Sequence, residues 1–466
     1  MPIRNLTIIF ISAVLSFACY LKAERNRYAG VVADAMHKVR TFYVEDVESR
    51  ELFESAMTGM VEGLDQYSNY IGPDLYRRME EVLDQEFGGV GIEIDKPDAE
   101  TTLMVLSPLV NTPAYREGLR AGDEILSIDS KATVGMSRAD AVKSMRGKPG
   151  SKVLLEARHA EEDESFEVTI VREIIQVQSV KGDSRRPDGS WDFQLQENPR
   201  IAYLRVTGFG KYTVAELSET LAEPESKPFE AALIDLRDNA GGLLSASVET
   251  CDLFIDKGLI VSTRGRDRLE QFRFDATPDM VIPVNLPLVV LVNHYSASAS
   301  EIVAACLQDH QRAIVVGERT WGKGTVQNIF ELEGGRSALK LTTASYWRPS
   351  GQNIHRGRKE DENGAWGVRP NQGFEIVLTD EQRGQVRLQR RRRDVIHGLK
   401  YRPEATAALG PEGAETTSQA DGEEHQQDPI PQHFENDQPF DDPQLRRAIE
   451  YLEEQLLRID ADSRTA

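Results

Sequence analysis

Cysteine is scarce: three occur in 466 residues, at positions 19, 251 and 306. That is too few for a disulfide framework to hold the fold together. Cys251 and Cys306 sit in apolar patterns with helical spacing and read as buried thiols, compatible with an oxidising compartment without indicating one. The His, Cys and carboxylate positions show no ligand spacing for a metal. Positive charge is also short, with 55 Lys and Arg against 76 Asp and Glu and a net charge of −21. Such a balance excludes a general nucleic-acid surface, so the one basic cluster, five arginines from Arg387 to Arg393, reads as a solvated helix face or a local contact. Residues 411–442 hold ten acids and no Lys or Arg, a composition that predicts disorder. No extended internal repeat is present. The length implies several domains, and 40% hydrophobic residues can fill substantial cores.

Long apolar runs are confined to the N-terminus. Leu6 to Leu21 is uncharged and mostly apolar, longer than a minimal signal h-region and slightly short of a comfortable membrane span. It lacks a clean A-x-A cleavage site, and Ser16-Phe-Ala-Cys19 lacks the leucine of a lipoprotein signal. An uncleaved anchor is the favoured reading, although Lys22, Arg25 and Arg27 after it oppose the positive-inside rule if the body is translocated.

What the chain does contain is a serine at a strand-to-helix junction and a lysine downstream. Leu288 to Val292 reads as a buried strand, and Ile302, Val303, Cys306 and Leu307 then recur at helical spacing, so Ser-Ala-Ser298-Ala-Ser-Glu occupies the turn between them. Such a turn exposes a side chain and aims free helix N–H groups at whatever sits there, as an acyl-transfer oxyanion requires. The plainer reading makes Ser298 a helix cap, because Ser298 and Glu301 fit the S-x-x-E capping box. Lys323 lies between Gly322 and Gly324, followed by a strand-like Thr325 to Phe330. A lysine works as a base only as the free amine, which apolar neighbours such as Trp321 and Val326 favour, and Gln327 is close enough in sequence to hold it. Gly317 to Gly324 is not a phosphate-binding loop, since Gly324 replaces the Ser or Thr such a loop needs and a strand follows instead of a helix. His294, a conventional base by type, has no apparent orienting partner and reads as structural or surface.

The spacing of Ser298, Lys323 and Gln327 resembles the Ser-Lys-Gln site of the carboxyl-terminal processing (tail-specific) proteases. Asp235-Leu-Arg-Asp-Asn-Ala-Gly-Gly242 looks like that family's D-L-R-x-N-x-G-G turn, with Ala240 where proline or serine is usual, and Ala344 to Gly351 is similar to its tyrosine-proline-serine-glycine strand end. The similarity runs from about residue 33 to about residue 380. It implies Ser298 as nucleophile, Lys323 as base and later acid, Gln327 as orienting group, and an oxyanion hole from the N–H of Ala299 with that of Gly241 or Gly242. It also implies an α/β multidomain chain with a crotonase-like ββα protease core, no cofactor, and a bacterial cell-envelope, extracytoplasmic location.

Upstream, Phe87-Gly-Gly-Val-Gly-Ile-Glu-Ile94 and Ser107 to Asp129 resemble a PDZ domain of bacterial proteases. A PDZ domain adds an extended C-terminus to a sheet edge and receives its carboxylate on backbone N–H groups. The resemblance implies a carboxylate loop at Gly89, Val90, Gly91 and Ile92, with Ile92, Ile94, Val142 and Met145 lining an apolar pocket; the alternative for these four is ordinary core. Arg146, after the helix from about Arg138 to Met145, either couples this module to the protease body or is a solvated helix-end cation.

The expected organisation is a signal or anchor over 1–27, helices over 28–85, a PDZ domain over 86–177, a protease core over 178–400, an acidic linker over 401–442 and an amphipathic helix over 443–466. In that helix Leu445, Ile449, Leu452, Leu456 and Ile459 recur at helical spacing and suit packing on the body or on a second subunit of a homo-oligomer. Expected partners are proteins with apolar or unstructured C-termini, the membrane through the first segment, and no nucleic acid. The alternative function is a PDZ scaffold that keeps the protease fold without catalysis.

Overall fold

Four apolar runs become the parallel strands of one sheet: β1 (Asn198–Val206), β2 (Ala231–Asp235), β3 (Leu288–Val292) and β4 (Ile314–Gly317), hydrogen-bonded in that order. The strands are apolar on successive residues because both faces of the sheet are covered. Leu204, Val206, Ile234, Val290 and Val292 pack with helices α1 (Leu244–Asp252) and α2 (Ala299–Asp309). Tyr203, Leu233, Val289, Leu291 and Val316 face the other way, towards α4 (Pro443–Thr465). Between these two helical layers in sequence comes α3 (Asp380–Asp394). The computed structural model describes residue 10 and residues 27–96, 99–160, 162–186, 189–222, 229–278, 282–357, 364–394 and 440–465.

The terminal helix packs on the body's own sheet. Leu445, Ala448, Leu452 and Leu456 are buried there and Ile449 partly so, whereas Ile459 is 42% exposed and lies off the packed stripe. Burial of each leucine contributes about 1.5–3 kcal/mol, so α4 is a full layer of the core. The arginines of α3 are local contacts: Arg390 reaches Asp235 and Tyr203, and Arg393 pairs with Asp183 at 2.5 Å and Glu197 at 3.0 Å.

Residues Ile92–Asp95, Leu103–Pro108, Glu124–Ile128, Lys152–Arg158 and Ser165–Val171 form an antiparallel sheet in that order, so Ile92–Asp95 is an edge strand. The helix Arg138–Met145, whose Ser137 cap accepts from the Asp140 N–H, packs into the same apolar cluster. A separate unit comprises the residues up to Pro73 together with Ile329–Leu341. Its described part holds the helices Arg27–Phe42 and Ser49–Glu62, as expected, and a short strand Asn69–Ile71 that pairs antiparallel with Ala338–Lys340, which the helical reading of 28–85 did not include.

The apolar segment Leu6 to Leu21 lies outside the described residues apart from Phe10, and so does the acidic stretch up to residue 439. Among the described residues no helix is long and apolar enough to cross a membrane.

Candidate active site

Three loops meet at the C-terminal ends of the parallel strands, where open α/β sheets ordinarily bind ligands. They are the turn 235–242 between β2 and α1, the junction 293–298 between β3 and α2, and the loop 318–324 between β4 and β5 (Thr325–Leu332). Each begins where an apolar strand runs out and polar residues take over the backbone hydrogen bonds.

Ser298 stands at the N-cap of α2, half-buried, with φ +56° and ψ −114°. That conformation is uncommon for a residue with a Cβ and marks a constrained turn. The turn is fixed by its neighbours. Ala297 N–H and the Ser300 hydroxyl both donate to the Asn239 carbonyl, at 3.0 and 2.8 Å. The Ser296 hydroxyl donates to the Leu236 carbonyl at 2.8 Å, and Asn293 and Asp238 exchange hydrogen bonds of 3.0 Å.

Gly241 (φ +111°) and Gly242 (φ +144°) are needed for space as well as for backbone conformation. A Cβ at Gly241 would lie 2.9 Å from Ser298 Cβ and 3.0 Å from the Ala299 nitrogen, and one at Gly242 would lie 2.2 Å from the Phe209 carbonyl. The glycine turn and the serine turn are therefore in direct contact. Of the expected pair of glycine donors, the Gly241 N–H is engaged by Asn239 Oδ1 at 2.8 Å. Among the described residues the N–H groups of Gly242 and Ala299 make no hydrogen bond.

Lys323 is buried. Its loop is joined to the serine turn by Glu301, which the capping-box reading noted only as a local partner. Glu301 is fully buried, and its Oε2 accepts from Ser298 N–H at 2.9 Å and from Lys323 N–H at 2.8 Å. Its Oε1 accepts from the Thr320 hydroxyl at 2.6 Å and Gly322 N–H at 2.7 Å. One carboxylate oxygen thus ties the backbones of the serine and the lysine. Burial pushes the Glu301 carboxyl up to about 7 against the pull of the Thr320 hydroxyl and the Gly322, Ser298 and Lys323 amides. Trp321 N–H donates to the Ser296 carbonyl at 3.0 Å, a further tie between the loops. Gly324 leaves no room for a side chain, since a Cβ would lie 2.1 Å from the His355 nitrogen. Gln327 lies half-buried in β5, and its amide donates to the Thr325 hydroxyl at 2.7 Å. His294 is occupied by Glu318 at 2.8 Å and stacks on Tyr295.

A second polar cluster lies under the glycine turn. Arg237 clamps Asp235 through Nε and Nη2, and its Nη1 donates to Asp442 at 2.7 Å and to Gln444 at 3.0 Å. Burial acts to lower the Arg237 pKa, but Asp235 and Asp442 outweigh it and the net shift is upward. The 205-residue separation of Arg237 and Asp442 gave no sequence signal for the pair. The local signal was the Asp442-Pro443 step, an N-cap followed by a proline at the first helical position.

In the upstream domain, Val90, Ile94 and Met145 are buried, while Ile92 and Val142 are partly exposed beside the same cluster. The Gly89-Val90-Gly91-Ile92 loop is held by Ala114 N–H to the Val90 carbonyl and Leu109 N–H to the Gly91 carbonyl, both at 2.9 Å. Arg146 is half-buried. It pairs with Glu81 of the helix Pro73–Asp84 at 2.5 Å and lies 4.4 Å from the centre of the Phe87 ring.

Residues 200–364 match the family profile described as Peptidase family S41, and residues 104–158 match that of a PDZ domain. The carboxy-terminal-processing protease of Bartonella bacilliformis is 38% identical over 355 residues, covering 74% of this chain and 78% of that protein. The carboxyl-terminal-processing protease of a Synechocystis species is 34% identical, covering 68% of this chain and 72% of its own. The carboxy-terminal processing protease CtpA of Bacillus subtilis is 31% identical, covering 69% of this chain and 66% of its own.

Proposed function

The chain belongs to the carboxy-terminal-processing serine proteases of peptidase family S41, with a PDZ domain, and from that premise we propose how its own residues act. Ser298 Oγ attacks the scissile carbonyl carbon while Lys323 Nζ, as the free amine, takes its proton. The oxyanion is received by the N–H groups of Ala299 and Gly242, with Gly241 supplying the close approach. The tetrahedral intermediate collapses as the Lys323 ammonium returns the proton to the leaving amine. Water then attacks the acyl-serine carbonyl, giving a proton to Lys323, and as this second tetrahedral intermediate collapses the C–Oγ bond breaks and the Lys323 ammonium returns that proton to Ser298 Oγ. Gln327 orients the lysine. No metal or organic cofactor enters any step.

The observation that carries this reading is the shared Glu301 Oε2, because one oxygen accepting from the backbones of both Ser298 and Lys323 keeps the two residues together. Substrates are proteins with apolar or unstructured C-termini, whose tail adds to the edge strand Ile92–Asp95 beside Ile92, Ile94, Val142 and Met145, its carboxylate on the Gly89 to Ile92 loop. We place the enzyme in the bacterial envelope on the extracytoplasmic side, with Leu6 to Leu21 as its anchor. The test is proteolysis of a flexible substrate with an apolar tail by protein lacking residues 1–27. Ser298→Ala is expected to abolish cleavage while the circular-dichroism spectrum and tail binding stay unchanged. Cleavage persisting in that variant sinks the assignment, and a wild type that binds tails without cleaving any favours the scaffold.

A further inference from the structure

The carboxylate of Asp442 has two separate uses. Its Oδ1 accepts from the N–H groups of Gln444 and Leu445, at 3.0 and 3.2 Å, and so caps α4. Its Oδ2 accepts from Arg237 Nη1 at 2.7 Å. Arg237 grips Asp235, which also accepts from the Tyr203 hydroxyl at 2.7 Å and from Arg390 of α3. Gln444 is fully buried, gives its oxygen to Arg237 and donates its Nε2 to the Ile376 carbonyl at 2.8 Å. All the ties on this side of Arg237 come from the last described segment of the chain. On its other side, four residues further on, Gly241 lies against Ser298, and Gly242 follows it, packed on the Phe209 backbone.

We propose that Asp442 is a positioning residue for the reaction: with Gln444 it holds Arg237, and through Arg237 the turn that presents the Gly242 N–H to the oxyanion. A guanidinium that is buried and clamped between Asp235 and Asp442 cannot shift without breaking charged hydrogen bonds in a dry setting, so the turn it begins is held in one conformation. The terminal helix is thus part of the catalytic apparatus without touching substrate. This rests on the oxyanion assignment above.

Asp442→Asn is the selective variant, because asparagine caps helices as well as aspartate does and α4 keeps its apolar packing, while the charge facing Arg237 is lost. Full-length wild type and variant are compared after titrating active sites with a fluorophosphonate that labels Ser298. We expect turnover per titrated site to fall roughly three- to thirtyfold, the range of indirect couplings, with KM within about twofold as for a loss confined to the transition state. Affinity for a peptide aldehyde, whose hemiacetal oxygen sits as the oxyanion does, should weaken in step. Asp442→Glu should recover part of both. Should Asp442→Asn not fold, Gln444→Ala, which removes the second acceptor, is expected to give a smaller loss of the same kind. Normal turnover per titrated site in a folded variant overturns the proposal, and so does a loss matched entirely by fewer titratable sites. A wild type that Ser298 labelling does not titrate points instead to failure of the Ser298 assignment.

Discussion

The serine-lysine junction and the PDZ edge are built on opposite plans. At the junction, polar groups are buried and nearly all are engaged: Glu301 accepts four hydrogen bonds, Asn239 fixes the Gly241 amide and both sides of the serine turn, and Arg237 sits between two carboxylates. At the PDZ edge, among the described residues, a strand pairs on one side only, next to partly exposed apolar side chains. The first arrangement resists displacement because every movement strands a buried donor or acceptor. The second is unfinished and is completed by an added strand. Chemistry needs the first, since a misplaced base or oxyanion donor loses rate steeply. Recognition of varied tails suits the second.

The sharpest way to break this comparison is at Lys323. Lys323→Arg keeps the positive charge, but a guanidinium does not give up its proton within a protein, so loss of the general base should lower kcat by roughly 10²–10⁴-fold. Tail affinity should stay unchanged. Appreciable turnover in that variant, measured on a flexible tailed substrate, would hand the base role to another group, with His294 the first to examine.

Glu301 comes next. In Glu301→Gln one acceptor oxygen becomes an NH₂ facing donors, and stranding buried donors costs about 1–3 kcal/mol. We predict that kcat falls roughly ten- to hundredfold while KM holds. The pH dependence gives a second check. The carboxyl, ordinarily near 4.5, is raised to about 7, so the fold favours its protonated form. That contribution to stability is fully present below about 4.5 and is lost as pH rises through about 7. The ionised form, however, is the one that accepts from all four donors. From pH 5 to 8, therefore, the wild type should lose stability relative to the variant, followed as urea midpoints, while its kcat gains on the variant's. Taking the ratio of the two proteins removes pH effects common to both. A ratio of kcat values that stays flat over this range sinks the idea.

The two regions also differed in how far they could be read from the sequence. The glycine turn, the alternating strand after it and the helix lie within about sixty residues and follow periodicity and turn chemistry, whereas the strand's place at a sheet edge is legible only through the family resemblance. The β3 to α2 junction and the Lys323 loop were legible for the same reason, as was the stripe of α4. What periodicity cannot carry is a hydrogen bond between distant segments. Glu301 matches a capping box whether or not it reaches Thr320, Gly322 and Lys323, and nothing near Arg237 announces Asp442. The arginines of α3 look like a solvated face until Asp235, Asp183 and Glu197 are seen opposite them. The choice between Gly241 and Gly242 turned on one side chain, Asn239, whose direction has no sequence signature.

The smallest expected effect concerns whether the two regions communicate. From Arg146 to the glycine turn the links are three contacts joined by short stretches of chain: Arg146 with Glu81 and the Phe87 ring, Gln85 Oε1 accepting from Tyr212 N–H at 2.6 Å, and Phe209 N–H donating to the Gly241 carbonyl at 2.9 Å. Contiguity alone does not demonstrate coupling. If tail binding is used only to concentrate substrate, Arg146→Ala should leave kcat at saturation intact. If it also sets the turn, kcat on tailed substrates should fall by a few-fold, within the roughly 0.5–2 kcal/mol typical of indirect couplings, while tail affinity of the full-length Ser298→Ala protein is the same with and without the Arg146 change. We expect the second result, because Arg146 pairs with Glu81 and Phe87, outside the PDZ sheet. Unchanged kcat would leave Arg146 as a tie for the end of its helix, and an equal fall in tail affinity would place its effect in the groove.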